Sequence, residues 1–226
     1  MDRPDNSPDA ASLLASVRAR IEAAARLARR EADAVTLVAI SKTQGPDRIA
    51  PLLAAGQRVF GENRVQEAQA KWPALVEADP TVELHLVGQL QSNKADDAVR
   101  LFDCIHSLDR PSLVAALAKA MDRAGRRVPC FVQVSIGDEA QKGGCALGAL
   151  PGLLAEARAA ELPVIGLMCV PPLGVEAAPY FALLAKLTDD HGLAGLSMGM
   201  SEDFETAVML GATHVRVGSA LFGERA

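Results

Sequence analysis

Lys42 closes the apolar run Val35-Thr36-Leu37-Val38-Ala39-Ile40-Ser41-Lys42. A run this apolar reads as a strand buried on both faces, as in a parallel sheet. A lysine at the mouth of such a sheet is partly desolvated. Desolvation disfavours the ammonium and yields the neutral amine that attacks aldehydes. The plainer reading is a lysine that leaves the sheet into solvent. Near the other end of the chain, Leu196-Ser197-Met198-Gly199-Met200-Ser201 and Arg216-Val217-Gly218-Ser219 combine glycines with hydroxyls after apolar runs. Glycine lets backbone approach an anion, and Ser201 and Ser219 could each open a helix whose free N–H groups meet a phosphate. An ordinary N-cap serine in a tight turn fits either place as well. Glu202 and Asp203 would repel an anion unless turned away, so Gly218-Ser219 is the firmer phosphate contact. Arg216 stays protonated.

The elements that must position these groups follow from periodicity. After a polar tail over 1–10, a helix is expected from Ala11 to Arg30, with Leu13, Leu14, Val17, Ile21 and Leu27 as its apolar stripe. Strand-like runs follow near Val35–Ser41, Arg58–Gly61, Val82–Gly88, Asp103–Ser107, Val128–Ser135, Val164–Cys169, Leu193–Ser197 and Thr213–Val217, with alanine- and leucine-rich helical stretches between them. Eight βα steps in this length predict an α/β fold, a (β/α)8 TIM barrel with an extra N-terminal helix, forming one domain over 11–226. A doubly wound open sheet is the alternative, but the turn after strand one lacks its glycine-rich pattern. Too few residues follow strand eight for a covering helix, so the N-terminal helix is expected to cover that part of the barrel.

Sites in such barrels lie at the C-terminal strand ends, and phosphates bind after strands seven and eight. An imine-forming lysine opposite a phosphate cradle suits pyridoxal 5′-phosphate, or a Schiff-base aldolase acting on sugar phosphates. Arg216 favours the cofactor. Against a pyridine nitrogen it would keep that nitrogen unprotonated and the ring a weak electron sink. Arg216 could instead pair with an acid such as Glu62. Asn63 sits beside the mouth, although Gln66 three residues on also suits a capping box. His85 is a candidate on strand three, where a hydrogen-bonded core histidine is equally natural. Met168, Met198 and Met200 suit adaptable packing around a flat ligand. Lys94 and Lys142 read as solvated loop lysines.

Composition excludes other classes. The chain has 226 residues, 50% of them hydrophobic, a net charge of −5 and 4% aromatics, which argues against nucleic-acid partners. Cys104, Cys130, Cys145 and Cys169 are widely spaced and read as reduced buried thiols, without metal-ligand spacing, in a cytoplasmic protein. No secretory leader or membrane span is expected.

The motifs Ala39-Ile40-Ser41-Lys42-Thr43, Phe60-Gly61-Glu62-Asn63, His85 with Gly88, Leu90-Gln91-Ser92-Asn93-Lys94, Gly166-Leu167-Met168, Ser197-Met198-Gly199-Met200-Ser201 and Val215-Arg216-Val217-Gly218-Ser219 occur in that order. In this the chain closely resembles the YggS/PROSC family of pyridoxal phosphate homeostasis proteins. The resemblance implies a fold-type III barrel and a cofactor held as an internal aldimine on Lys42. It places Ser201, Gly218 and Ser219 at the phosphate and Arg216 at the pyridine nitrogen. It also implies a carrier or buffer of the cofactor, with pyridoxal phosphate-dependent apoenzymes as partners and no established reaction. A monomer is expected. The alternative is a fold-type III enzyme such as an amino-acid racemase. Racemases of this fold need a second acid–base group opposite the lysine, commonly a tyrosine from an additional domain. The only tyrosine here, Tyr180, falls in a predicted outer helix.

Overall fold

The computed structural model describes residues 9–137 and 143–223. Helix α1 (Ala10–Leu27) is capped by Asp9, whose carboxylate accepts from the Ser12 amide at 2.7 Å. The strands are β1 (Thr36–Ile40), β2 (Val59–Glu62), β3 (Glu83–Leu86), β4 (Cys104–Leu108), β5 (Cys130–Ser135), β7 (Val164–Met168), β8 (Gly195–Ser197) and β9 (His214–Val217). Six fall within the apolar runs expected from the sequence, and β2 and β4 each run one residue past theirs, to Glu62 and Leu108. A two-residue strand, β6 (Cys145–Ala146), adds to β5 beyond the barrel. Neighbouring strands run parallel throughout the described residues. The pairs run β4-β3-β2-β1-β9-β8-β7-β5, and β4 also pairs with β5, which closes the ring. The chain is therefore an eight-stranded parallel barrel.

Helices α2 (Pro46–Ala54), α3 (Val65–Ala78), α4 (Ala95–Leu101), α5 (Pro111–Ala124), α6 (Leu150–Ala159), α7 (Ala178–Asp190), α8 (Phe204–Met209) and α9 (Ser219–Phe222) lie between and after the strands. Alternation along each strand sends one set of side chains outward to these helices and the other inward. The outward set, with Leu37, Ala39, Leu84, Leu86, Val132, Leu167, Val215 and Val217, joins the main apolar core. The inward set is different in kind. It includes a small apolar group of Cys104, Phe131 and Met168, beside the buried polar residues His85, His106, Gln133, Ser197 and Arg216.

Helix α1 packs on α8, α9 and α2, over the stretch that the short α9 leaves bare. Arg30 fixes its end by donating to the carbonyls of Val208 at 2.7 Å and Ala212 at 2.9 Å. Its apolar stripe is Leu14, Val17, Ile21, Ala24 and Ala25. Leu13 is only half-buried, and Leu27, the last residue of the helix, departs from the expected stripe and is 76% exposed. Among the described residues no helix is long and apolar enough to cross a membrane.

All four cysteines are free and buried. Burial pushes the thiols of Cys130 and Cys169 up to about 12 and that of Cys145 up to about 11, and raises Cys104 further. Thiolates react and thiols do not. A thiol reagent at pH 8 is therefore expected to label none of the four in the folded protein and all of them after denaturation; rapid labelling of the native protein would contradict the burial.

Candidate functional site

A cavity of about 620 Å³ opens at the C-terminal ends of the strands, within the size range of small-ligand sites. Its wall includes Lys42 from the end of β1, Asn63 after β2, Met200 and Ser201 after β8, Arg216 from β9, and Gly218 and Ser219 after it. Six of the eight sequence-derived site residues thus share one cavity: Lys42, Asn63, Ser201, Arg216, Gly218 and Ser219. His85 and Met168 do not line it. Both are inward-facing strand residues, so they lie in the barrel interior rather than in the wall. Met168 packs with Cys104 and Phe131, and His85 bonds to a second histidine, His106. Lys94 is outside the cavity and pairs with Asp97 at 3.4 Å. Lys142 lies outside the described residues.

The segment carrying Lys42 is held from below. Glu62 is fully buried, and its Oε1 accepts from the Ser41 hydroxyl at 2.5 Å, the Trp72 indole at 2.9 Å and the Lys71 ammonium at 2.8 Å. Lys71 also donates to the carbonyls of Ser41 at 2.7 Å and Gln44 at 3.0 Å, one on each side of Lys42. Thr43 has φ of 63°, a left-handed value uncommon for a residue with a β-branched side chain. Its amide donates to Glu67 at 2.5 Å. Burial pushes the Glu67 carboxyl up, but the Thr43 amide and Lys71 together hold it below its ordinary value. Sequence reasoning missed Lys71. The available signal was its place four residues after Glu67 and beside Trp72, on a helix that follows Glu62 directly. Glu62 is therefore the partner of Lys71, not of Arg216.

Ser201 does not open a helix, contrary to the expectation from sequence. The helix begins at Phe204, and Asp203 takes the turn by accepting from the Met200 amide at 2.6 Å. Burial raises the Asp203 carboxyl, opposed by that amide and by Arg216. The Ser201 hydroxyl is thereby turned across the mouth, where it accepts from the amides of Gly218 at 3.2 Å and Ala220 at 3.5 Å. Gly199 serves packing rather than a ligand. It has φ of 92°, and a Cβ there would lie 2.5 Å from that of Ala207 on α8. Asn63 makes no capping bond to α3, whose N-cap is Arg64. Its backbone crosses so close to Gly88 that a Cβ at 88 would lie 2.2 Å from the Asn63 carbonyl oxygen.

Arg216 is 5% exposed and fixed on two sides, donating to the Ser197 hydroxyl at 2.7 Å and the Cys169 carbonyl at 2.8 Å. Burial lowers its pKa, while Cys169 and Asp203 act in the opposite sense. Behind it, His106 Nδ1 is 2.8 Å from Ser197 Oγ, and His106 Nε2 is 3.1 Å from His85 Nδ1. The ring of Phe131 lies 4.5 Å from that of His106 and 4.9 Å from that of His214. Desolvation lowers His106 well below its ordinary value and His214 to about 3, and the nearby Arg216 charge acts in the same direction on both. The side chains of His85, Cys104 and His106 also bring their ligating atoms within 4.8 Å of one another. Sequence spacing could not show this, because the first comes from β3 and the others from β4. His85 and His106 meet at hydrogen-bonding distance.

The fold and site define a parallel barrel with a strand-end lysine, a hydroxyl-and-glycine turn and a buried arginine around one mouth. The chain belongs to the alanine racemase N-terminal domain family, whose family model matches residues 14–226. Within it, the chain is 40% identical over 219 residues to a pyridoxal phosphate homeostasis protein of Pseudomonas aeruginosa, covering 94% of each chain. It is 37% identical over 229 residues to the Escherichia coli K12 protein of the same name, covering 96% of this chain and 97% of that one. PipY of Synechococcus elongatus PCC7942, solved with PLP bound, superposes with a TM-score of 0.83 at 38% identity over 95% of this chain and all of PipY (100%). Alanine racemase of Clostridium difficile 630 shares the fold, with a TM-score of 0.71 at 14% identity over 94% of this chain and 56% of that one.

Proposed function

We propose that this protein binds pyridoxal 5′-phosphate at the barrel mouth and buffers or delivers it without substantial turnover. The observation that carries this reading is the convergence of Lys42, Arg216, Ser201, Gly218 and Ser219 on one cavity. The residues fit the group chemically. Lys42 supplies the amine that condenses with the aldehyde, releasing water. Ser201, Ser219 and the nearby amides supply donors for the phosphate. Arg216, a donor that remains charged, suits the ring nitrogen and keeps it unprotonated. When bound, the cofactor supplies a reactive aldehyde and an electron-accepting ring, and Arg216 holds that ring in its weaker accepting state.

The names of the homeostasis relatives and the PLP-bound PipY structure support the reading. A lack of turnover is consistent with the cavity wall, where the described lining includes no tyrosine or histidine to oppose Lys42. Tyr180 packs on α7 against the outer core. Buried, protonated thiols suit a reducing cytoplasm. A monomer that hands the cofactor to apoenzymes completes the proposal.

Borohydride reduction of the protein with added pyridoxal phosphate, followed by peptide mapping, tests it. One adduct on Lys42, lost in Lys42→Ala together with the visible absorption band, is expected. An adduct spread over surface lysines would refute the site, and steady racemisation of alanine or serine would refute the carrier role.

A further inference from the structure

The barrel interior holds more polar groups than a packed core requires, and Arg216, Ser197, His106 and His85 among them form one continuous row. Arg216 Nη1 meets Ser197 Oγ at 2.7 Å, Ser197 Oγ meets His106 Nδ1 at 2.8 Å, and His106 Nε2 meets His85 Nδ1 at 3.1 Å. His85 Nε2 then faces Glu83 Oε2 at 3.9 Å. The first four residues are buried, whereas the side chain of Glu83 is 62% exposed at the N-terminal end of β3. The row therefore runs from the cavity wall through the barrel to solvent at its base. His214 on β9 packs its ring against those of His85 and His106 but turns its Nδ1 to the Thr213 hydroxyl at 2.9 Å, outside the row.

The direction of each bond follows from the chemistry of the two ends. A guanidinium only donates, and a carboxylate only accepts. Ser197, having accepted from Arg216, has one proton left, and His106 Nδ1 can take it. A neutral imidazole that accepts at one nitrogen donates at the other. His106 therefore donates from Nε2 to His85 Nδ1, which leaves the proton of His85 on Nε2, facing the Glu83 carboxylate. Ser197 and His106 each have one incoming and one outgoing proton, and His85 accepts the last bond and faces Glu83 at ion-pair distance. The opposite sense would give Ser197 two donors and leave its own proton without a described acceptor. The interaction with His85 also holds the Glu83 carboxyl below its ordinary value, against the effect of burial.

We infer that Ser197, His106 and His85 are positioning residues for Arg216, forming a one-way row of hydrogen bonds, with the Glu83 carboxylate facing its far end, that holds the guanidinium against the ring nitrogen of the bound cofactor. This rests on the cofactor reading above. Cys169 lends only a carbonyl to Arg216, so the side-chain restraint on the guanidinium comes from the row. Apolar side chains would fill the same space more cheaply, since a buried polar group left without a partner costs about 1–3 kcal/mol. A satisfied polar network instead fixes a single arrangement.

The test uses the full-length protein. Pyridoxal phosphate affinity is measured by equilibrium dialysis, and the visible band of the loaded protein is titrated with pH. Ser197→Ala is expected to weaken binding roughly ten-fold and to move the titration midpoint by about half a unit or more. Ser197→Thr, which keeps the hydroxyl, should restore both. His106→Phe fills the same space, leaves Ser197 and Arg216 in place, and should shift both readouts in the same direction; it carries the test if Ser197→Ala does not fold. Unchanged affinity and midpoint in folded Ser197→Ala or His106→Phe, with the Lys42 adduct intact, would overturn the row and leave the cofactor reading standing. If the unsubstituted protein forms no Lys42 adduct, the cofactor reading fails and the row's assignment falls with it.

Discussion

Replacing Lys71 with methionine is expected to destabilise the protein by about 3–5 kcal/mol, measured by urea unfolding, and to slow formation of the Lys42 adduct. The magnitude follows from what is left behind. Glu62 is 0% exposed, and its charge is balanced at 2.8 Å by an ammonium whose side chain is itself only 8% exposed. Methionine fills much of the volume but leaves a buried carboxylate whose other oxygen, Oε2, already has no partner among the described residues. Removing one member of such a pair is far more costly than replacing both. Lys71→Met combined with Glu62→Gln should therefore recover part of the lost stability, although the new carboxamide would still need its bonds to Ser41 and Trp72. The kinetic effect has a separate cause. Lys71 ties the carbonyls of Ser41 and Gln44 together across Lys42, and Thr43 holds a left-handed backbone within that span. Without the tie, the turn over residues 41–44 keeps the Gln44 amide on the Ser41 carbonyl and the Thr43 amide on Glu67 but presents the amine less firmly. If the single variant unfolds at the parent's urea concentration, the pair is not a structural clamp.

The barrel was legible in the sequence because a parallel strand covered on both faces must be apolar nearly throughout, and eight such runs stand out from alanine-rich helices. The same property hid the interior. His106 occupies one place in the run from Cys104 to Leu108, and nothing in that run says which face it takes until the ring closes. Once β3, β4, β8 and β9 take their places around a barrel, His85, His106, Ser197 and Arg216 come into one row. The mouth was more readable, since strand ends are marked by a change from apolar to polar residues. Lys42, Asn63, Ser201, Arg216, Gly218 and Ser219 all reach the cavity. Ser201 has the look of a helix start, but Asp203, two residues on, competes for the same turn and wins it through the Met200 amide. Leu27 satisfies the helical period but is the last residue of the helix and lies exposed.

Gly166→Ala is expected to be the most damaging small substitution in the barrel wall, at or beyond the upper end of the usual range of about 1–3 kcal/mol for overpacking. Gly166 on β7 pairs with Gly195 on β8. A Cβ at 166 would stand 2.1 Å from the Gly195 carbonyl oxygen and 2.5 Å from its Cα. These are backbone atoms of an adjacent strand, so no rotamer change relieves the clash and the strands must part. Nor can Gly195 give way inward, because the Phe131 ring lies 2.7 Å from where its own Cβ would be. The consequence reaches the site through Arg216. Its two described anchors straddle this seam, the Cys169 carbonyl just beyond β7 and the Ser197 hydroxyl on β8. Parting the strands separates the anchors, so pyridoxal phosphate affinity should fall together with stability. Val164→Ala, at the start of the same strand and facing no backbone clash, is the control. It should cost less than about 1.5 kcal/mol, in line with a small loss from a half-buried side chain, and leave affinity unchanged. Equal losses of affinity in the two variants would mean that β7 tolerates no change at all, and that the β7–β8 seam has no special hold on Arg216.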